Sequence, residues 1–196
     1  MKYLQIFSVL FCLTTAAKTH CADKSQTWLL EKSEIEYTVE FPLKTVKGNS
    51  KVAKGKGVCD EKTCHFLVAT QVVSFKSGDR NRDMHMLEVT KATEYPLVTF
   101  EMDVGKTFNQ KNIGFEIEFA SVKKYFSNVP VTIKIVGNQL KVNLEFDLLL
   151  SKFNVTRPTL LGIPVNDKVK MKIRSVWRLN NVAGSNSTKK IKEKIR

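Results

Sequence analysis

Glycine, proline, acidic residues and long apolar runs are all scarce in this chain of 196 residues. With 9 Gly and 5 Pro, the chain is not collagen-like, and no segment beyond the N-terminus is apolar enough to span a membrane. Hydrophobic residues make up 42% of the sequence and charge is spread along it, which excludes a disordered chain. A coiled coil is excluded as well. The length predicts one globular domain.

Residues 1–22 have the composition of a secretory signal. A positively charged start is followed by an almost continuous apolar stretch and then by small residues. We expect cleavage after Ala17 or Ala22, which leaves a domain over 23–182 and a basic, disordered tail over 183–196. This predicts an exported protein, periplasmic or secreted. The alternative is an uncleaved membrane anchor.

Two cysteines of the domain, Cys59 and Cys64, are separated by four residues. In an exported protein this spacing favours a disulfide across a hairpin turn. The adjacent His65 leaves a metal site as the alternative. A tetrahedral zinc centre needs more ligands than this segment offers, so we favour the disulfide and expect no metal.

Alternation of apolar and polar residues is the strongest structural pattern in the sequence. Period two predicts half-buried strands, and one further segment is apolar on both parities, which indicates a more buried strand. The predicted strand segments are 28–32, 34–41, 51–58, 66–75, 98–104, 113–119, 131–135, 140–148 and 169–179. Because no βαβ pattern is present, we expect an antiparallel sheet of about eight strands, folded as a barrel or as two packed sheets.

Two segments interrupt the strands. Residues 76–95 begin with turn residues and then show helical spacing, which predicts a short helix starting near Asp79 or Asn81. Residues 151–167 contain two prolines and a glycine but are unusually apolar for a connection. We expect this second segment to form an ordered loop over the barrel end or over a partner.

The polar cluster Arg82, Asp83 and His85 is the densest candidate for chemistry. It could act as an acid–base pair with an anion-holding guanidinium, or Arg82 and Asp83 could pair locally while His85 bonds to backbone, which would fasten the helix to the barrel. We favour the structural role, because no nucleophile, metal set or second carboxylate accompanies the cluster. The sequence also lacks a phosphate loop, H-E-x-x-H and G-x-S-x-G. We therefore predict that the protein is not an enzyme.

Positive charge outweighs negative charge, giving a formal net charge of +13. Two runs contain no acidic residue, one of five lysines over 44–56 and one of five cations over 168–178. Nucleic-acid binding would need outward aromatic residues, whereas most aromatics here take the inward parity. The alternatives are a surface for anionic glycan or lipid headgroups and a basic surface with no specific partner.

Two motifs resemble those of the YceI-like family. The run SFKSGDRNRDMHM begins at Ser74 and is followed by EYPLVTF, which begins at Glu94. Some fifty residues later, LSKFNVTRPTLLGIPVND begins at Leu150 and is similar to the late loop of the family. Members of that family show Arg-Asp-x-His followed by Tyr-Pro, and later Arg-Pro-x-Leu-x-Gly-Ile.

The resemblance implies an eight-stranded antiparallel lipocalin-like barrel in the bacterial envelope, with one short helix and an apolar loop near the barrel end. It also implies a non-enzymatic carrier of a polyisoprenoid, quinone-like or other long-chain amphipathic lipid, in transient contact with a membrane surface. An envelope protein that binds anionic glycan or headgroups is the alternative function. The predicted cavity-lining residues are Phe100, Met102, Phe115, Ile117, Phe119, Val142, Leu144, Phe146, Phe153, Leu160 and Trp177. By motif, Arg82, Asp83, His85 and Arg157 have a structural or headgroup-binding role.

Overall fold

The computed structural model describes residues 26–41, 44–160 and 162–180. The predicted secretory signal and the predicted basic tail lie outside the described residues. In the described part the single α-helix is α1, Arg80–Val89. The strands are β1 Gln26–Phe41, β2 Lys44–Ser50, β3 Lys54–Cys59, β4 Thr63–Gln71, β5 Leu97–Gly105, β6 Asn112–Phe119, β7 Val122–Val136, β8 Gln139–Leu149, β9 Thr159–Leu160, β10 Ile163–Pro164 and β11 Lys168–Asn180.

Eight of these strands form a closed antiparallel barrel, as the sequence predicts. The hydrogen-bonded order is β11, β8, β7, β6, β5, β4, β3 and β1, and β1 closes the ring by pairing with β11. The first part of β1 pairs with β3, and its second part pairs with β2. All of these pairs are antiparallel, so each strand presents alternate side chains to the interior.

The two ends of the barrel are closed in different ways. At the end where β3 meets β4, which we call the closed end, Cys59 and Cys64 form the predicted disulfide and are both fully buried. Phe108, from the connection between β5 and β6, packs beside them against the ring of Trp28, with 5.7 Å between ring centroids. The opposite end, where β1 ends and β11 begins, carries α1 and the connection from β8 to β11. We call it the mouth.

Helix α1 begins where the sequence predicts. Asp79 is its N-cap, and its carboxylate accepts a hydrogen bond of 3.1 Å from the backbone N–H of Arg82. An aspartate at this position satisfies an amide that would otherwise lack a partner, and its charge is favourable at the positive end of the helix dipole. The backbone N–H of Arg82 lowers the pKa of the Asp79 carboxyl, so the cap is charged at neutral pH.

The apolar loop after β8 fills a gap in the barrel wall. The ladder between β7 and β8 joins Val131–Val136 to Gln139–Leu144. Nearer the mouth, a 3₁₀ turn over Leu150–Phe153 follows β8 and packs against β7. Phe153 on this turn is buried, with its ring centroid 5.7 Å from that of Phe119. The loop is therefore part of the mouth.

Several strand boundaries differ from the sequence prediction. Segments 28–32 and 34–41 are one strand, β1, in which the register with β11 shifts between Leu30 and Lys32. Strand β4 ends at Gln71, because the chain turns there and the N–H of Val72 bonds to the carbonyl of Pro96 at 2.9 Å. Strand β2 was not predicted, since its inward positions include a glycine and a serine beside only one large apolar residue.

Candidate functional site

The interior of the barrel has a packed half and a hollow half. Near the closed end, Trp177 and Phe66 lie almost fully buried with their ring centroids 4.9 Å apart. Gly55 and Gly57 on β3 make room for these rings, since a side chain at either position would collide with one of them. This half of the interior is filled by closely packed hydrophobic side chains among the described residues.

Toward the mouth the interior opens into a cavity in which about 210 Å³ is accessible to the centre of a water molecule. Its walls are almost wholly apolar and come from six of the eight ring strands, together with β2, the turn after β4, α1 and the loop after β8. The lining residues on the strands are Ile35, Tyr37, Val39, Phe41, Val46, Val68, Thr70, Val98, Phe100, Ile117, Phe119, Phe146, Leu148, Val169, Met171 and Ile173. Such a site selects ligands by apolar contact and length rather than by polar pairing.

The predicted lining residues separate between the two halves of the interior. Those along the cavity are Phe100, Ile117, Phe119 and Phe146. Those buried in the core without lining the cavity are Met102, Phe115, Val142, Leu144 and Trp177, together with Phe153, which is buried at the mouth against Phe119. The side chain of Leu160 lies outside the described residues. Alternation distinguishes inward from outward positions, but it carries no information on which end of the barrel a residue occupies.

The sequence pattern did not identify most of the aliphatic lining, for the same reason. Val39 and Val98 lie on predicted strands with inward parity, yet they are smaller than the aromatic residues that attracted attention. Their distinguishing property is position, since each lies where its strand approaches the mouth. Their closeness along the sequence to strand ends near the mouth is the signal that would have identified them.

Ser77 connects the polar cluster to the start of the helix. Asp83 is buried, and its carboxylate accepts hydrogen bonds from both the backbone N–H and the hydroxyl of Ser77. The guanidinium of Arg82 donates to the Ser77 hydroxyl at 2.8 Å and lies 3.9 Å from Asp79. These bonds hold the first turn of α1 against the preceding turn, and Arg82 at the same time lines the cavity.

Replacing Ser77 by alanine should destabilise the fold by about 1–3 kcal/mol, because the buried Asp83 loses one hydrogen bond and Arg82 another. Chemical denaturation monitored by circular dichroism measures this loss. Thr107→Ala is a suitable control, since Thr107 bonds to Asn109 in an exposed turn at the closed end. Equal losses for the two variants would show that Ser77 does not anchor the helix.

The two remaining motif residues lie nearer the solvent. His85 lines the cavity with part of its ring, while its Nδ1 is 3.1 Å from a carboxylate oxygen of Glu88. The bond to backbone that we expected of His85 is replaced by this side-chain pair. Arg157 is exposed and donates to the carbonyl of Val165 at 3.4 Å, which ties the two arms of the mouth loop together.

Tyr37 is a polar group on the otherwise apolar cavity wall. Burial raises the pKa of its phenol, and the charge of nearby Asp83 raises it further. The phenol therefore stays protonated across the physiological pH range and can donate a hydrogen bond. Together with Arg82 and His85 it gives the cavity a polar region at the mouth, while the deeper wall is hydrocarbon.

The basic run over 168–178 is neutralised by carboxylates on the neighbouring strands. Four of its five cations form ion pairs, because the ladders place acidic residues of β1 and β8 on either side of β11. The pairs are Lys168–Asp147 at 3.3 Å, Lys172–Glu145 at 2.7 Å, Arg174–Glu34 at 2.7 Å and Arg178–Glu31 at 2.5 Å. Although the run itself contains no acidic residue, the outer surface of the barrel around β11 therefore carries both positive and negative charges.

These pairs predict that the fold loses stability in acid. Hydrogen bonds from Arg174, Arg178 and Lys172 lower the pKa of their partners Glu34, Glu31 and Glu145 below the ordinary value of 4.5. Their contribution is complete above pH 4.5 and is lost as pH falls through the lowered pKa values. The melting temperature should decline below about pH 4.5. Glu34→Gln should make that decline shallower. If the melting temperature of this variant fell with pH as steeply as that of the unmodified protein, the ion pair of Glu34 would not be a cause of the acid sensitivity.

Neither a spanning helix nor a metal cluster occurs in the part of the chain that the structure describes. Its helices are too short and too polar to cross a bilayer. No three side chains of His, Cys, Asp or Glu converge there to hold a metal ion.

Comparison with known proteins gives a consistent picture of the fold. The family model described as the YceI-like domain matches residues 28–177. BcnA of Burkholderia cenocepacia is a structural neighbour with a TM-score of 0.63 and 20% sequence identity, over 74% of this chain and 95% of that protein. No curated protein matches the sequence significantly.

Two further solved structures are similar. A polyisoprenoid-binding domain from Saccharophagus degradans, implicated in plant cell wall breakdown, has a TM-score of 0.64 and 8% identity, over 78% of this chain and 98% of that one. The YceI protein of Campylobacter jejuni has a TM-score of 0.54 and 20% identity, over 72% and 88%. At these identities the structural likeness establishes the fold.

Proposed function

We propose, from the premise that the chain belongs to the YceI-like family, that this protein is an exported, non-enzymatic carrier for a long-chain isoprenoid or similar lipid. The observation that carries the proposal is the apolar cavity, which opens at one end of a barrel whose other end is filled. A ligand whose chain is entirely hydrocarbon gains free energy along the whole wall, at about 25 cal/mol per Å² of surface buried.

The mouth supplies the only polar contacts such a ligand would find in the described cavity. A hydrocarbon chain would extend toward Phe146 and Ile117, leaving its headgroup beside Tyr37, Arg82 and His85. Arg82 favours an anionic or carbonyl-bearing headgroup, to which a guanidinium donates. A quinone ring or a phosphate meets this requirement.

Export is supported by the disulfide and by the secretory-type composition of residues 1–22. Structural disulfides persist in oxidising compartments such as the bacterial periplasm. A carrier placed there would meet its ligand at a membrane surface, since isoprenoid lipids reside in bilayers.

Native mass spectrometry with lipid extraction tests the proposal on the purified protein. We expect a bound lipid, or stoichiometric binding of an added isoprenoid quinone, and we expect high salt to leave that binding almost unchanged. His85→Ala should weaken binding only modestly, because the hydrocarbon wall supplies most of the surface that the ligand buries. A protein that carries no lipid and binds no added isoprenoid would overturn the proposal.

A surface that binds anionic glycans is less well supported as the function. Such a surface would use the basic runs to bind the glycan. Most cations of the run on β11 are already paired with carboxylates, which leaves them less able to bind another anion. Binding to an anionic glycan that disappears with salt, in a protein whose cavity takes no lipid, would favour this second function.

A further inference from the structure

The outer side of the mouth helix carries apolar residues among the exposed polar residues Arg80 and Glu88, although a helix that covers a barrel normally turns only a polar face to solvent. The inner side of α1 contributes Met86 and Val89 to the cavity. Met84, on the outer side, is 52% exposed, and Leu87 lies one turn further along the same side. Helix α1 thus has apolar residues on both sides.

Neighbouring segments extend this outer surface. Val73, in the 3₁₀ turn after β4, is 49% exposed and lines a shallow groove together with Met84 and Leu87. Leu97, at the start of β5, is 46% exposed and pairs with Gln71, two residues before Val73. We call Val73, Met84, Leu87 and Leu97 the docking face. Contiguous exposed apolar residues with a polar rim are typical of an interaction site.

Cations surround the docking face. Lys76 and Arg80 line the groove beside it, and Lys91 follows the end of α1. Acidic residues lie in the same segment: Asp79 and Asp83 also line the groove, where they accept hydrogen bonds from Arg82 and Ser77, Glu88 pairs with His85, and Glu94 is exposed. Half-exposed apolar side chains with flanking lysine and arginine are the pattern by which peripheral helices bind anionic lipid surfaces.

We propose that the docking face seats the mouth of the barrel on an anionic lipid bilayer. The inference rests on the proposed carrier function and identifies where ligand exchange takes place. Because the helix that carries the docking face also forms the cavity wall, seating it on a bilayer brings the opening to the surface where isoprenoid chains reside. The excess of positive over negative charge in the sequence favours the same approach at long range.

Vesicle flotation tests the proposal with two compositions, phosphatidylcholine alone and an equal mixture of phosphatidylcholine and phosphatidylglycerol. We expect the purified protein to bind the mixed vesicles, and Val73→Ser combined with Met84→Ser to weaken that binding about tenfold or more. Lys76→Gln combined with Arg80→Gln should also weaken binding and make it less sensitive to salt.

Ile135→Ser combined with Val136→Ser is the matched control. These residues are 54% and 57% exposed and lie at the closed end, so the same amount of exposed apolar surface is removed far from the mouth. The control should bind vesicles as the unmodified protein does. Equal binding by the Val73/Met84 variant, or no binding by the unmodified protein, would overturn the proposal. So would self-association in sedimentation that the Val73/Met84 variant abolishes, since the docking face would then be a dimer interface.

Failure of this proposal is distinguishable from failure of the carrier function. Val73 and Met84 do not line the described cavity, so the variant should still retain an isoprenoid in native mass spectrometry. Loss of vesicle binding with the ligand retained supports the docking face. Loss of both would show that the substitutions disturb the cavity, and the assignment of a separate docking face would be wrong.

Discussion

Trp177→Ala is expected to lower the free energy of unfolding by about 3–5 kcal/mol. The indole is 1% exposed, packs edge-to-face on Phe66 and donates from Nε1 to the Ser175 hydroxyl at 3.0 Å. The space beside it is kept by Gly55, which has no side chain to fill a void. The loss therefore combines the transfer of a large aromatic group to water with a cavity that the surroundings cannot close.

Urea denaturation of the purified variant measures this loss, and Met171→Ala provides the comparison. Met171 lies on the same strand six residues earlier and borders the existing cavity, so it has fewer neighbours to lose. We expect its cost to be less than half that of Trp177→Ala. Similar costs for the two variants would mean that the mouth half is packed as tightly as the closed half.

Val68→Trp is expected to weaken ligand binding strongly while leaving the barrel folded. Val68 on β4 faces the cavity and pairs with Phe100 across the ladder, so an indole at this position would occupy space that is otherwise free. Overpacking a filled core costs about 1–3 kcal/mol, but here the added volume enters a void and the stability cost should be small. The expected effect on affinity for an isoprenoid quinone is a weakening of about a hundredfold or more.

Leu67→Trp is the control for this prediction, because Leu67, the residue before Val68 on the same strand, points outward and is 43% exposed. Ligand titration followed by tryptophan fluorescence measures both variants. The outward tryptophan should leave affinity unchanged. If Val68→Trp retained full affinity, the ligand would have to bind outside the cavity.

Structural features that depend on a single local pattern in the sequence could be predicted from it. The alternation of apolar and polar residues predicted the barrel strands, because successive side chains of a strand point in turn to the interior and to solvent. Asp79 predicted the start of α1, because few residue types have a side chain that can accept a hydrogen bond from the free backbone N–H groups of the first helical turn. Cys59 and Cys64 could be paired because their separation suits a hairpin.

The cavity could not be located in the same way, because its position depends on relations between strands. Phe146 and Trp177 have the same inward parity, and only the ladders show that one lies by the mouth and the other in the filled half. Cross-strand pairing also determines which basic side chains form ion pairs. Arg174 is paired because the register of β1 places Glu34 beside it, across 140 residues of sequence.

The division of the interior into a filled half and a hollow half has a consequence for how such barrels diversify. A single strand, β11, carries Met171 into the cavity and Trp177 into the core, so the residues that meet a ligand are separated from those that secure the fold. Substitutions near the mouth can then accumulate without loss of the folded state. A barrel built in this way can keep its fold through extensive sequence change, and the Saccharophagus domain has a similar fold at 8% identity.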